Sequence, residues 1–276
     1  MRIGIVGLVV AIAAYVTLIV LYATTGMGPP HPVADGQPAG DGTTVTMDVQ
    51  GVQAYNGVLV ANVTVSPGPA LLDPETYNLK DDLSVAVTSA VTPTKRTWPT
   101  GTVPGVFPVS LSMTGDVSDW PFDGYRSGPI TVELFRGPAQ VPERASVTFV
   151  DRLPGWTVEV PSTGKPEKPA PYRVEVQRSP TTAAFAVVLL GLLVSIAGVA
   201  LFVAVQTARD RRQFQPPMAT WFAAMLFAVI PLRNALPDSP PFGAWIDVTI
   251  VLWVIVALVV SMIIYVSCWW RHLKPA

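Results

Sequence analysis

Three aspartates lie close together in the peptide GDVSDWPFD, at spacings of three and four residues. Asp116, Asp119 and Asp123 could offer carboxylate oxygens to Ca²⁺, which takes oxygen ligands. The peptide lacks the glycine and the terminal glutamate of an EF-hand loop. The alternative is a turn in which Asp119 and Asp123 accept backbone hydrogen bonds and Trp120 and Phe122 pack into a core. The sequence favours the turn and leaves calcium binding open.

An arginine and an acid flank the loop between the last two apolar segments of the chain. Arg233 ends one segment and Asp247 begins the next, so the two side chains could meet at the extracytoplasmic interface of the membrane. Long side chains at helix ends can reach that interface, which favours a structural ion pair that locks the two helices together. Because ionisable groups at membrane depth are often functional, an ion or proton pathway is the alternative.

The remaining composition excludes several classes of protein. The chain has 276 residues, 18 Lys and Arg against 19 Asp and Glu, two histidines and one cysteine. A net charge of -1 argues against a nucleic-acid partner, since such proteins carry a basic face. No P-loop, G-x-S-x-G, H-E-x-x-H or C-x-x-C motif occurs. The sequence therefore predicts a protein without enzymatic activity, resident metal or cofactor.

Small residues recur at spacings of three and four residues in two of the apolar segments. Gly4, Gly7 and Ala11 lie in the first segment, and Gly191 and Ser195 lie in the second. Such small-xxx-small patterns let helix backbones approach closely in membranes. These residues could contact a partner protein, or they could pack against each other within the chain.

Four apolar segments must position these side chains: Ile3–Ala23, Ala183–Gln206, Met218–Leu232 and Trp245–Trp270. A helix needs about 20 apolar residues to cross a hydrocarbon core of about 30 Å. The third segment has 15 residues and contains Pro231, so it must continue further or lie tilted. The first has 21 uncharged residues, which exceeds the about 7 to 15 of a signal-peptide core and favours a retained anchor. We predict four transmembrane helices.

Basic residues near the helix ends predict the orientation, because short cytoplasmic loops collect Lys and Arg. Arg2, the cluster 209–212, Arg271 and Lys274 all fall on one side under this arrangement. Both termini are then cytoplasmic, in a multi-pass protein of the cell inner (plasma) membrane. Residues 24–180 are extracytoplasmic.

The long segment between the first two helices has the composition of a β-domain. Residues 24–182 contain 21 of the 28 prolines, and they carry 11 basic and 16 acidic side chains. Alternation such as TVELF at 131–135 predicts half-buried antiparallel strands, for which the candidates are Thr43–Gln50, Gly57–Val65, Leu83–Val91, Pro108–Val117, Ile130–Phe135, Ala145–Asp151, Thr157–Pro161 and Tyr172–Gln177.

These patterns together predict a membrane α plus extracytoplasmic all-β protein. An Ig-like β-sandwich is inserted between transmembrane helices 1 and 2. The predicted divisions are an anchor helix at 1–25, a Pro/Gly-rich tether at 26–42, the sandwich at 43–180 and a three-helix transmembrane region at 181–276.

Two stretches resemble the DUF4436 family of actinobacterial membrane proteins. The first runs from MTGD at 113–116 to WPFD at 120–123; the second is the hairpin PLRNALP at 231–237 with SPP at 239–241 and Ile246-Asp247. The resemblance covers the β-domain and the last three helices. It implies the topology above and a mycobacterial type of envelope. It implies no reaction, because the family is uncharacterised.

Our functional hypothesis is a non-enzymatic accessory or stabilising subunit of a cell-envelope complex, a lipid (Mce-type) or cell-wall-precursor transporter. Its partners would be membrane lipids and an integral-membrane protein such as a transporter permease. The alternative is a ligand-binding or channel-like homo-oligomer gated near Arg233 and Asp247. A third class is an enzyme that uses Asp116, Asp119 or Asp123 on lipid-linked substrates.

Overall fold

The structure is a computed structural model, and it describes residues 2–25, 31–35, 42–89, 93–161, 171–209, 217–238 and 240–272. The chain divides into two compact units. The sheet unit comprises Tyr22–Asp116 and Asp123–Ser179. The helical unit comprises Met1–Leu21, Val117–Phe122 and Pro180–Ala276. Each unit is described below by itself.

The described part of the sheet unit contains twelve strands in two sheets. The larger sheet has eight strands in the order β1-β10-β2-β3-β6-β7-β12-β11, and the smaller has four in the order β5-β4-β8-β9. The strands are β1 His31–Asp35, β2 Thr44–Gln53, β3 Val58–Ser66, β4 Leu83–Thr88, β5 Thr94–Trp98, β6 Phe107–Gly115, β7 Gly124–Ser127, β8 Thr131–Arg136, β9 Val141–Glu143, β10 Ser146–Asp151, β11 Trp156–Glu159 and β12 Glu175–Arg178.

Alternation of apolar side chains explains how the strands form one core. Val45, Met47 and Val49 of β2 are fully buried, and every second residue between them faces outward. Met47 is opposite Val63 in the antiparallel pair of β2 and β3. Val85 from the smaller sheet belongs to the same buried cluster. The two sheets therefore share one hydrophobic core, as in a β-sandwich.

Each of the eight predicted strands overlaps an observed strand, but the Ig-like topology is wrong. An Ig fold has seven to nine strands in total, whereas one sheet alone has eight here. Residues His31–Asp35 of the predicted tether form β1, which pairs antiparallel with β10. β10 also pairs with β2, and these two strands are parallel. Residues 26–30 and 36–41 of that tether lie outside the described residues.

The helical unit contains α1 Arg2–Thr25, α2 Pro180–Ala208, α3 Met218–Asn234 and α4 Leu252–His272, the last preceded by a π-helical turn at Asp247–Val251. Within the described residues, α2 and the span Asp247–Cys268 are the two helices long and apolar enough to cross a membrane.

The prediction of four transmembrane helices is wrong. With 17 residues, α3 extends about 25 Å, less than a hydrocarbon core of about 30 Å. The apolar part of α1 described in full, Val9–Thr24, is also short. A sheet unit inserted between two transmembrane helices 1 and 2 is therefore not supported, and the prediction that both termini are cytoplasmic loses its basis.

The packing of α2 against α4 follows a regular small-residue pattern. The buried side chains of α2 alternate at spacings of four and three residues: Ala186, Leu190, Leu193, Ala197, Ala200, Ala204 and Thr207. Those of α4 repeat the same spacing: Val254, Leu258, Ser261, Tyr265 and Cys268. This is the heptad-like stripe by which two helices pack side by side, and the alanines of α2 let the backbones approach closely.

Candidate functional site

A buried ion pair joins two neighbouring strands of the sheet unit. β7 begins at Gly124 and β12 ends at Arg178, and Gln177 is opposite Gly124 in their antiparallel pairing. Asp123 therefore lies beside Arg178. Arg178 Nε donates to Asp123 Oδ1, and Nη2 donates to Oδ2 at 3.3 Å. The side chains are 3% and 0% exposed, so the two charges neutralise each other away from solvent.

Two aromatic residues complete this pair. The Tyr125 hydroxyl donates to Asp123 Oδ2 at 2.9 Å, and the Arg178 guanidinium carbon lies 4.3 Å from the centre of the Trp156 ring. The Tyr125 and Trp156 rings meet edge to face, with centroids 5.8 Å apart. Burial raises the pKa of Tyr125 above its ordinary value, and the hydrogen bond to the Asp123 carboxylate raises it further. The Asp123 cluster (Asp123, Tyr125, Trp156 and Arg178) is therefore a closed structural network.

A second ion pair lies in the helical unit, between the last turn of α3 and the π-helical turn before α4. Arg233 Nε donates to Asp247 Oδ1 at 3.1 Å, and Nη2 donates to Oδ2 at 2.9 Å. Nη2 also donates to the Pro240 carbonyl at 2.7 Å, while the Gly243 N–H donates to Asp247 Oδ2 at 3.0 Å. The contact suggested by the sequence is thus present, and it closes the loop between α3 and α4.

The ring of Phe242 covers this second pair. Its centroid lies 4.2 Å from the guanidinium carbon of Arg233, a cation–π geometry. Arg233 itself is buried, whereas Phe242 is 85% exposed. The ring therefore has one face on the guanidinium and the rest of its surface open.

The aspartate-rich peptide contributes to both units, and two of its predicted contacts are wrong. Trp120 is fully buried in the helical unit, where its indole Nε1–H donates to the Pro237 carbonyl at 3.1 Å. Phe122 is 68% exposed, so it does not pack into a core as predicted. Asp123 accepts hydrogen bonds from Arg178 and Tyr125 instead of the predicted backbone groups. The peptide bond before Pro121 is cis.

The three aspartates do not converge on one point. Asp116 and Asp119 are exposed, whereas Asp123 is buried and bonded to Arg178. The described part of the chain contains no group of three or more His, Cys, Asp or Glu side chains placed to hold a metal ion. Of the three, Asp123 is therefore explained by its ion pair with Arg178.

Comparison with known families follows the same division of the chain. A family model described as "Domain of unknown function (DUF4436)" matches residues 33–176, which is more than half of the 276 residues. The chain belongs to the DUF4436 family. A second model, "Domain of unknown function (DUF8686)", matches residues 178–272. No curated protein matches the sequence significantly.

The DUF4436 resemblance seen in the sequence is thus confirmed, and its extent is narrower than expected. The DUF4436 match ends at residue 176, just before the last residues of the sheet unit. The hairpin motif at 231–247 lies inside the DUF8686 match instead. This DUF4436 protein therefore combines two family regions whose boundary falls close to the start of α2.

The small residues singled out in the sequence lie on exposed helix surfaces where the structure describes their surroundings. Gly7, Ala11, Gly191 and Ser195 are exposed, and a Cβ atom added at Gly7 or Gly191 would meet no atom within 4 Å. The surroundings of Gly4 lie outside the described part of α1. The stripe that α2 uses toward α4 is the alanine stripe on another face, so the predicted faces remain candidates for contact with a partner.

Sequence reasoning missed Arg178, although the pattern of β12 contained a signal for it. Val174 and Val176 are buried, and alternation places Arg178 on the same buried side. A charged residue at a buried strand position requires a partner of opposite charge. Asp123, directly before the neighbouring strand β7, satisfies that requirement.

Proposed function

We propose that this chain is a membrane-anchored, non-enzymatic accessory subunit that stabilises a transporter in the cell envelope. The transported material would be lipid, as in Mce-type systems, or a cell-wall precursor. Its direct partner would be an integral-membrane protein such as the transporter's permease. The proposal has two parts, the membrane setting and the structural role, and each has its own support.

Side-chain hydroxyls on α2 and on the span Asp247–Cys268 support a lipid setting. Five of them donate to the backbone carbonyl four residues earlier, at 2.6 to 3.0 Å: Ser195, Thr207, Thr249, Ser261 and Ser267. Three of these residues are exposed, where water would otherwise satisfy the hydroxyl. In hydrocarbon a polar group must be satisfied within the helix, which is the arrangement found here.

The basic cluster after α2 supports an orientation. Arg209, Arg211 and Arg212 follow the helix directly, and such clusters collect on the cytoplasmic side. α2 would then enter the plasma membrane from the extracytoplasmic side at Pro180, two residues after β12 ends. On this argument the sheet unit is extracytoplasmic.

The contacts that the buried charged side chains make are the main support for a structural role. The fully described residues include four buried charged side chains, Asp123, Asp151, Arg178 and Arg233. Three belong to the two ion pairs, and Asp151 accepts hydrogen bonds from the backbone N–H groups of residues 153 and 158. Each therefore joins two parts of the fold. Buried ionisable groups used in this way suit a rigid scaffold better than a reaction centre.

Cysteine labelling would test the membrane part of the proposal. In a Cys268→Ala background, Tyr55→Cys in the sheet unit should react with a membrane-impermeant maleimide in intact cells. The matched variant Gln213→Cys, in the segment after α2, should react only after the membrane is opened. Reaction of Tyr55→Cys only in opened cells would contradict an extracytoplasmic sheet unit.

Affinity purification would test the accessory role. The tagged chain would be extracted from its own membranes in mild detergent, and co-eluting proteins would be quantified by mass spectrometry. We expect a permease or ATPase subunit of an envelope transporter in comparable amount, absent from a tagged unrelated membrane protein. Elution of the chain alone would refute the accessory role and favour the ligand-binding or channel-like alternative.

A further inference from the structure

The loop between α3 and α4 presents an apolar surface that its own unit does not cover. Phe242 is 85% exposed, and Trp245 and Val248 are exposed as well. Leu252 and Trp253 continue the exposed apolar surface along the next turns of the span Asp247–Cys268. Exposed apolar side chains are thus present before, within and after the π-helical turn Asp247–Val251.

Charge distinguishes this surface from an ordinary polar loop. Arg233 is buried and neutralised by Asp247, and the Phe242 ring lies over the guanidinium. Between positions 234 and 246 the sequence contains one ionisable side chain, Asp238. The exposed surface of this loop is therefore aromatic and almost uncharged, although the Arg233–Asp247 ion pair lies directly beneath it.

We infer that the aromatic tip, defined as Phe242 and Trp245, inserts into the interfacial zone of the lipid bilayer and fixes the depth of α4. This inference rests on the proposed membrane setting. Lipid is the occupant that the surface fits, because the tip is continuous with the exposed apolar surface of a membrane-length helix. Aromatic side chains at the ends of such helices prefer the interface between headgroups and acyl chains.

The ion pair with Asp247 explains how the Arg233 guanidinium can lie beneath the interfacial zone of the bilayer. An unpaired arginine would have to reach water or an anionic headgroup. Here Asp247 and the Pro240 carbonyl accept hydrogen bonds from Nε and Nη2, and the Phe242 ring lies over the guanidinium. The tip should therefore insert equally well into neutral and anionic lipid, since no free positive charge selects the headgroup.

Fluorescence quenching in vesicles would measure the depth of the tip. The full chain, with Cys268→Ala and Trp245→Cys, would carry a fluorescent label at position 245 in phosphatidylcholine vesicles. Lipids bearing a nitroxide at shallow or deep acyl positions would quench it. We expect a label depth about 15 Å from the bilayer centre. The depth should be unchanged when phosphatidylglycerol is added.

Two further labels separate failure of the tip from failure of the membrane setting. A label at Val256→Cys, about 16 Å further along the helix, should be quenched by the deep nitroxide. A label at Tyr55→Cys in the sheet unit should not be quenched. If Val256→Cys is not quenched, the proposed membrane setting fails. If it is quenched while the label at 245 is not, the tip inference alone is overturned.

A substitution tests the role of the phenyl ring. Phe242→Ala should move the label at position 245 outward, whereas Phe227→Ala, which removes another highly exposed phenyl ring from α3, should leave it in place. An unchanged depth at Val256→Cys would show that the helix still inserts. Equal effects of the two substitutions would overturn the inference. Self-quenching between labels at 245 would also overturn it, since the tip would then contact a second copy.

Discussion

At the scale of single residues, the Asp123–Arg178 pair should contribute far more to stability than an exposed pair. Removing one partner of a buried pair leaves an uncompensated charge and costs about 3–5 kcal/mol. We therefore expect Arg178→Met to lower the free energy of unfolding by about that amount. Chemical unfolding of the full chain in mild detergent would measure it.

The matched control for this substitution lies on the same pair of strands, β7 and β12. Arg126 and Glu175 form an ion pair at 3.1 Å, but their side chains are 76% and 27% exposed. Arg126→Met should therefore change the free energy of unfolding by only about 0–1 kcal/mol. Similar losses for the two variants would show that burial does not set the contribution of the Asp123 pair.

Tyr125 makes a prediction about alkaline pH. Its pKa is raised above the ordinary 10.0 by burial and by the Asp123 carboxylate. Above pH 10.0 the unfolded chain loses this proton while the folded chain keeps it. The free energy of unfolding therefore declines as the pH rises toward the pKa of the folded state. Stability should fall less steeply above that pH in Tyr125→Phe. Identical slopes of unfolding free energy against pH would contradict the assignment.

At the scale of structural elements, two aromatic residues of one turn should contribute very differently to stability. Trp120 is fully buried in the helical unit and bonded to the Pro237 carbonyl, whereas Phe122 is exposed. Trp120→Ala should cost about 3–5 kcal/mol of stability, since it opens a cavity. Phe122→Ala should change stability by less than about 0.5 kcal/mol. Thermal unfolding in detergent would compare them, and equal effects would contradict the placement of Trp120.

The turn between β6 and β7 makes a second prediction at this scale. A Cβ atom on Gly115 would overlap the Gly124 carbonyl oxygen and the Tyr125 ring, whereas one on Gly105 would meet no atom within 4 Å. Gly115→Ala should destabilise the protein by about 1–3 kcal/mol, because backbone or ring must shift. Gly105→Ala is the control and should be nearly neutral. A neutral Gly115→Ala would contradict the close contact of Gly115 with the Gly124 carbonyl and the Tyr125 ring.

Alternation in the sequence was sufficient to locate the longer strands of the sheet unit. β2, β3 and β6 each run for nine or ten residues with every second side chain buried over most of their length. The strands that were missed are short or lack this pattern. β5 exposes three of its five residues, β9 has three residues, and β7 has four. Such strands form because neighbours pair with them, which local composition does not encode.

The candidate site was less predictable than the strands. Arg233 and Asp247 were found because charges beside apolar segments are conspicuous. Arg178 was not, because its partner Asp123 lies 55 positions earlier in the chain. Helix crossings were overcounted because the third apolar segment, with 15 residues, was expected to continue further or lie tilted, whereas α3 has only 17 residues.

At the scale of the whole molecule, the two family matches give the clearest guide to how the chain is divided. The DUF4436 match covers most of the sheet unit, and the DUF8686 match covers α2, α3 and α4. Each of the two compact units has its own buried ion pair and its own hydrophobic core. We expect both units to be needed by an accessory subunit, one as a membrane anchor and the other as the part that braces a partner.

The most direct test of the accessory role is the native mass of the complex that contains this chain. The protein would be extracted from its own membranes in mild detergent, and native mass spectrometry would weigh the intact particle. We expect a mass that includes the 29.5 kDa chain together with at least one different subunit. A particle whose mass is 29.5 kDa or a whole multiple of it would refute the accessory role and indicate a protein that works alone or as a homo-oligomer.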